Sequence, residues 1–230
     1  MHVPHAFRID RAASLEFAAA RGFGMICAVA NGRPVASHVP FHLGYAQDGS
    51  PRAVFHLARH NPLAALAGSE SWLLAVQGDD AYVSADWYAS PHQVPTWLYQ
   101  AVHLSGPVEA MSSDALAEHL DDLSERFESG LAPKPPWTMA RMPAARRDGM
   151  MRAIVGLVMT VENIEGSFKL NQHKSDADHV AVMAALGLQT SPGAQAIARR
   201  MQAMRPHAFA GDAPDRMSGG HNTDVLEETT

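Results

Sequence analysis

The chain has one cysteine, Cys27. That excludes an internal disulfide framework and a cysteine-rich zinc site. No apolar run approaches the roughly eighteen residues a membrane helix needs. The opening MHVPHAFRID lacks the apolar stretch of a secretory signal, so a cytoplasmic location is expected. Charged residues make up only 18%, and acidic side chains outnumber basic ones by 24 to 18. A chain-wide basic surface for nucleic acid is therefore excluded. GxGxxG, Walker A, GxSxG and HExxH patterns are all absent. What remains is a 230-residue chain, 47% apolar, with enough material for a sizeable core.

Charge is spread unevenly. Residues 1–130 hold 7 basic and 14 acidic side chains, 131–205 hold 10 and 5, and 206–230 hold 1 and 5. Only the middle stretch offers a phosphate-attracting face, through Arg141, Arg146, Arg147, Arg152, Arg199, Arg200 and Arg205. From Pro206 onward Gly, Pro, Ser and Asp mix without apolar period, which predicts a disordered acidic tail over 206–230. Residues 1–205 read as a single domain.

The pattern within it is mostly β. Asp10 or Ser14 caps a first helix that Gly22 stops. The run FGMICAVA then meets Asn31-Gly32, the strongest two-residue hairpin signal, because both turn positions need positive φ. Residues 34–43 alternate, with Val35, Ser37, Val39, Phe41 and Leu43 on one face and His38 and His42 on the other. Residues 52–58 follow the same rule, with His56 opposite Phe55. Two strands, 71–77 and 80–86, are expected across a Gly78-Asp79 turn. Another runs through 97–111. Ser112 or Ser113 caps a helix over 113–128, with Leu116, Leu120, Leu123 and Phe127 at helical spacing. A short basic helix at 143–151 precedes one long strand, IVGLVMTVENIEG. Two helices, near 175–185 and 191–204, end the chain. Short strands, tight turns and peripheral helices favour an antiparallel barrel with helices outside.

Polar side chains stand where a barrel core needs none. Ser37, His38, His56, Arg59 and Asn61 lie on or just after consecutive strands. Trp97, Tyr99 and Gln100 follow Pro95. Lys169, Gln172, His173 and Lys174 follow the longest apolar strand. Cations, amides and broad aromatics together suit a ligand with a phosphate and a flat heteroaromatic ring. No metal is expected: His38 and His42, four apart on a strand, lie about 13 Å apart, and no carboxylate or thiolate cluster accompanies them. Cys27, in an apolar strand with no basic neighbour, reads as inert.

At these clusters the sequence resembles the PaiB family of FMN-binding negative transcriptional regulators. The matching stretches are MHVPHAF, FGMICAVANGRPVASHVPF, HLARHNP, VQGDDAYVSADWY, VPTWLYQAVHLSG and AIVGLVMTVENIEGSFKLNQHK, spanning residues 1–205. Asn171 departs from the pattern, which has Ser there. The resemblance implies an FMN-binding split β-barrel that forms homodimers, with flavin between the subunits. It implies that Ser37, His38, His56, Ala58, Arg59 and Asn61 lie beside the flavin, with Trp97, Tyr99 and Gln100 from the same region or the partner, and Lys169 and Gln172 completing the lining. Arg59 and Lys169 are the candidates for its phosphate. Repression of gene expression, directly or through a partner, is the implied function. A flavin-dependent oxidoreductase and a flavin or haem carrier, using histidines at a barrel mouth, are the alternatives. For direct DNA binding a helix-turn-helix is disfavoured, because the joint GLQTSPG looks too long.

Overall fold

A computed structural model describes residues 1–68 and 71–209. The elements in chain order are β1 (Arg8–Ile9), α1 (Arg11–Arg21), β2 (Phe23–Ala30), β3 (Arg33–Tyr45), β4 (Pro51–Ala58), β5 (Ser71–Val83), β6 (Thr96–Ala110), α2 (Ser113–Ser129), α3 (Ala144–Arg152), β7 (Ile154–Thr160), β8 (Asn163–Lys169), α4 (Asp176–Gly187) and α5 (Pro192–Met204).

All pairings are antiparallel, in the order β1-β8-β6-β5-β2-β3-β4-β7, and β7 returns to pair with β6. That last pairing closes a barrel. Closure through β6–β7 pairs the free edge of β7, while β1 remains an edge strand. β3 pairs with β2 through Arg33–Pro40 and with β4 through Phe41–Tyr45, so it turns one corner of the barrel. β6 turns the other, pairing with β8 through residues 99–105 and with β7 through 108–110.

Local chemistry explains the turns. Asn31 and Gly32 both have positive φ, 52° and 73°, as a type I′ hairpin requires. The Asp10 carboxylate accepts from the Ala13 N–H at 2.8 Å to start α1, and Gly22, at φ 58°, ends it. Ser112 starts α2 by accepting from Ala115 N–H. Period-two alternation points Val39, Phe41, Phe55, Leu57, Trp72, Leu74, Val102 and Leu104 into the barrel, all at most 4% exposed. A second core holds Val83, Leu98, Val182, Leu186, Ile197 and Met201 between α4, α5 and the sheet.

Four expectations are corrected. Residues 71–83 form one strand, and Gly78-Asp79 is a β-bulge within it rather than a turn. The register against β6 shifts between Gln77 and Asp80. Gly78 fits because the Phe17 ring presses on it, leaving only 2.7 Å to the position of a Cβ. The strand stops at Val83, and Ser84 caps a 3-10 turn at Ala85–Trp87. The run expected as one long strand, IVGLVMTVENIEG, lies along one edge of β6 and is split at Val161-Glu162 into β7 and β8. There the amide of Val161 bonds to Pro51 O and that of Glu162 to Ser105 O, and the outer neighbour changes from β4 to β1. Phe127 leaves the buried stripe of α2 and is exposed, lying over Gly22. The joint between α4 and α5 is only residues 188–191, because α4 extends to Gly187 and Pro192 already lies in the first turn of α5. Most of the acidic tail lies outside the described residues; its start, Pro206–Phe209, forms a 3-10 turn.

The split depends on Gly106. A Cβ there would lie 1.8 Å from the Thr160 carbonyl oxygen. Gly106→Ala must push two paired backbones apart. We expect it to cost more than the roughly 1–3 kcal/mol of ordinary overpacking, measured as a lower urea midpoint; a midpoint equal to the parent's would contradict this account of the split.

Candidate functional site

The expected site residues fall at two ends of the barrel. At the first, the Asn61 amide donates to Ser37 Oγ at 2.8 Å and its carbonyl accepts from Leu63 N–H, tying the end of β4 to β3. His38 is exposed on the outer face and stacks on Phe23, with centroids 6.2 Å apart. Ala58 closes β4 opposite Ile154. The Arg59 side chain donates to Arg152 O at 2.7 Å and Ile154 O at 2.8 Å. Two of its five donors are thus committed to the α3–β7 junction, which aims the remaining ones.

At the second end Trp97 is 54% exposed, with its ring against the edge of Tyr82 at 6.1 Å. Tyr99 lies opposite Lys169 in the β6–β8 pairing. The Lys169 ammonium donates to Thr96 Oγ1 and sits over the Phe7 ring. Lys174 donates to Gln93 Oε1 and covers the Tyr88 ring at 5.1 Å. Among the described residues no carboxylate is in ion-pair contact with either lysine. Burial, then the charge of Lys174, pulls the Lys169 pKa below its ordinary value. An anion placed here would relieve both effects. Gln172 turns inward instead: its amide bonds to Phe168 O and Leu170 N–H and fastens the loop after β8. Asn171 sits at φ 59°, where Asn is tolerated far better than most residues, and accepts from the Tyr88 hydroxyl.

Two expected neighbours are separated. Gln100 is 1% exposed on the inner face of β6, while Trp97 and Tyr99 point the other way, as alternation demands. Arg59 and Lys169 stand at opposite ends of β6. Lys169 is paired with Tyr99 near the start of β6, whereas Arg59 follows Ala58, whose partner Ile154 lies beyond the Ala110–Leu157 pair at the strand's other end.

The most unusual polar feature was not expected. Beneath α2, His56 Nδ1 lies 3.1 Å from His119 Nε2, and His119 Nδ1 lies 3.3 Å from His42 Nδ1. His119 is 2% exposed, and its pKa is pushed down to about 3 by burial and then by the two neighbouring imidazoles. Burial also lowers the pKa of His42 and of His56. The row is not a metal site. The two nitrogens of His119 face different partners, whereas chelation needs one nitrogen from each ring aimed at a common point. Among the described residues no group of three or more such ligands converges. The helical spacing of Leu116, His119 and Leu123 was the signal available in the sequence.

Of the basic residues, Arg205 is spent on the loop after β8, donating to Gln172 O, Lys174 O and Asp176 Oδ1. Arg200 faces Asp79 at 3.6 Å. No described helix is long and apolar enough to cross a membrane. Burial raises the Cys27 thiol pKa, which suits an unreactive role.

Residues 1–163 match the family model described as "Putative FMN-binding domain". The chain is also 31% identical over 205 residues to protease synthase and sporulation protein PAI 2 of Bacillus subtilis, covering 88% of this chain and 97% of that one. The chain belongs to this FMN-binding family. Among solved structures, the FAD and heme binding protein of Mycobacterium smegmatis is similar at a TM-score of 0.50, with 22% identity over 70% of this chain and 71% of that one. The flavocytochrome Anf3 of Azotobacter vinelandii is similar at 0.51, with 17% identity over 73% and 72%. These structures share the fold, a split barrel.

The histidine row gives a pH prediction. The fold holds these imidazoles neutral, with pKa values below the ordinary 6.5. Their stabilisation is therefore complete above about pH 6.5 and is lost as pH falls below that value, before carboxylates begin to titrate. Thermal midpoints should drop from pH 7.5 to 5.0, and His119→Leu should shrink that drop. An equal drop in both proteins would remove the row as its cause.

Proposed function

We propose that this protein is a homodimeric flavin-binding regulator, with FMN held where the β3–β4 end of one subunit meets the β6–β8 end of its partner. The separation of Arg59 and Lys169 along β6 supports this arrangement. One chain cannot bring both to one phosphate, and a two-fold axis sets unlike ends side by side. Lys169 carries the reading. It is a half-buried cation whose partners among the described residues are a hydroxyl and the Phe7 ring, with no carboxylate in ion-pair contact, beside a second ammonium and near exposed aromatic surface, and this donor set fits a phosphate attached to a flat ring. Lys169 and Lys174 would hold the phosphate, Trp97 and Tyr99 would cover the ring, and Ser37 with Asn61 would supply hydrogen bonds at its polar edge. When bound, the flavin supplies redox chemistry; the protein supplies position and charge.

Regulation through a partner protein, or through the flavin's redox state, fits better than direct reading of DNA. Although the α4–α5 joint is short, α5 buries Ala194, Ile197, Ala198 and Met201 against the rest of the domain, and Arg205 is committed internally. A flavin-dependent oxidoreductase is the second reading, favoured by the imidazole row that ends at His56, one of the residues placed beside the flavin.

Lys169→Ala and Arg59→Ala should each weaken FMN about 10- to 100-fold, as loss of a charge-assisted hydrogen bond implies, and leave riboflavin nearly unchanged. Titration by flavin fluorescence, with sizing of the complex, checks this. Equal loss of both ligands, or a monomer that binds FMN fully, would overturn the assignment.

A further inference from the structure

A cavity of about 240 Å³ lies between α2, α3 and the start of β7, beside His56. It is smaller than the roughly 300–1,000 Å³ of drug-sized sites, so its occupant is small, about one ring. Its wall is Trp137 and four methionines, Met139, Met142, Met150 and Met151. Methionine and tryptophan give an adaptable apolar lining suited to an aromatic guest. Three lining residues are polar. Ser124 spends its hydroxyl proton on Leu120 O. Arg147 brings a positive charge, and its one ion pair among the described residues is a 3.5 Å approach to the neighbouring Asp148. His56 is the third, and the row behind it fixes its state.

Each neutral imidazole carries one proton, so two arrangements satisfy both N···N contacts. In one, His42 carries its proton on Nδ1, and its bare Nε2 faces the Asp122 carboxylate. In the other, His42 Nε2 carries the proton and points it at Asp122, 3.9 Å away. The carboxylate selects the second. His119 Nδ1–H then donates to His42 Nδ1, and His56 Nδ1–H donates to His119 Nε2. His56 Nε2 is left bare as the ring's remaining polar atom. The other charged groups around the outer end are Arg52 and Glu118, which line a separate cavity with His42 and His119, and Arg126, which weakens the pull of Asp122 on His42.

We propose that this cavity binds a small, largely apolar weak acid of the phenol class, that His56 Nε2 takes its proton, and that Arg147 holds the resulting anion. The balance closes with groups of this chain and solvent. The O–H bond of the guest breaks, its electron pair stays on oxygen beside Arg147, and the proton bonds to His56 Nε2. His56 Nδ1–H passes to His119 Nε2, His119 Nδ1–H to His42 Nδ1, and His42 Nε2–H to Asp122 or water. All three rings end neutral, with their tautomers reversed. His119 never has to store a charge, in keeping with its burial. The site uses groups of this chain lying under and beside α2; it shares His56 with the residues placed beside the flavin, and displacement by FMN separates the two readings.

The probe is 4-nitrophenol, whose anion absorbs in the visible, with nitrobenzene as the guest that has no proton to give. In the purified full-length protein, saturable binding should shift the ionisation of 4-nitrophenol toward the anion by about tenfold or more, as a charge-assisted contact implies. His56→Gln and Arg147→Met should each abolish most of that shift while nitrobenzene still binds. His119→Leu, which removes the selection of the bare Nε2, should reduce it. No saturable binding to the parent protein, or a shift unchanged in His56→Gln, would overturn the proposal. One-for-one displacement of 4-nitrophenol by FMN would also overturn it, by giving the cavity to the flavin. Absence of FMN binding alone would leave this result standing and sink only the flavin reading.

Discussion

Of the described glycines, Gly106 leaves the least room for a side chain, because the Thr160 carbonyl oxygen lies 1.8 Å from where its Cβ would be. It lets β6 keep one long edge strand, β7 with β8, against it while that strand changes outer neighbour. Hydrogen bonds from Val161 and Glu162 to Pro51 and Ser105 hold the crossing in place. Without this contact β7 could not close the ring against β4 while β8 carries Lys169 away to the far end. The closed core and the separated polar groups follow from the same geometry.

That geometry divides the polar residues by task. On the inner face and in the loops most are structural: Gln172 and Arg205 fasten the segment after β8, and Asn61 fastens the end of β4. On the outer face the exceptions gather. Lys169 and Lys174 face hydroxyl, amide and ring, not carboxylate. Three neutral imidazoles form a row under α2, joined nitrogen to nitrogen. A folded protein places such groups out of water only at a cost, and that cost sets both places apart from the rest of the surface.

Much of this is legible in the sequence. Asn31-Gly32, Asp10 and Gly22 act through backbone angles and a single cap, so the local sequence carries them. Alternation gave the faces of β3 and β4, and the same rule separates Gln100 from Trp97 and Tyr99. What escaped depends on partners distant in the chain. Gly78 reads as a turn until Phe17 is known to press on it. The break at Val161 is invisible without Gly106 across the strand. His119 lies on the buried stripe of α2, but its partners are 63 and 77 residues away, and a histidine among leucines carries no sign of them.

Arg205 follows the last turn of α5, and its guanidinium reaches back to the carbonyls of Gln172 and Lys174. Helix and loop are thereby riveted into one lever. A protein that grips the outer surface of α5 and tilts it would drag Lys174 along, so the strength of the grip would be transmitted to the end of the barrel that carries Lys169 without any contact there.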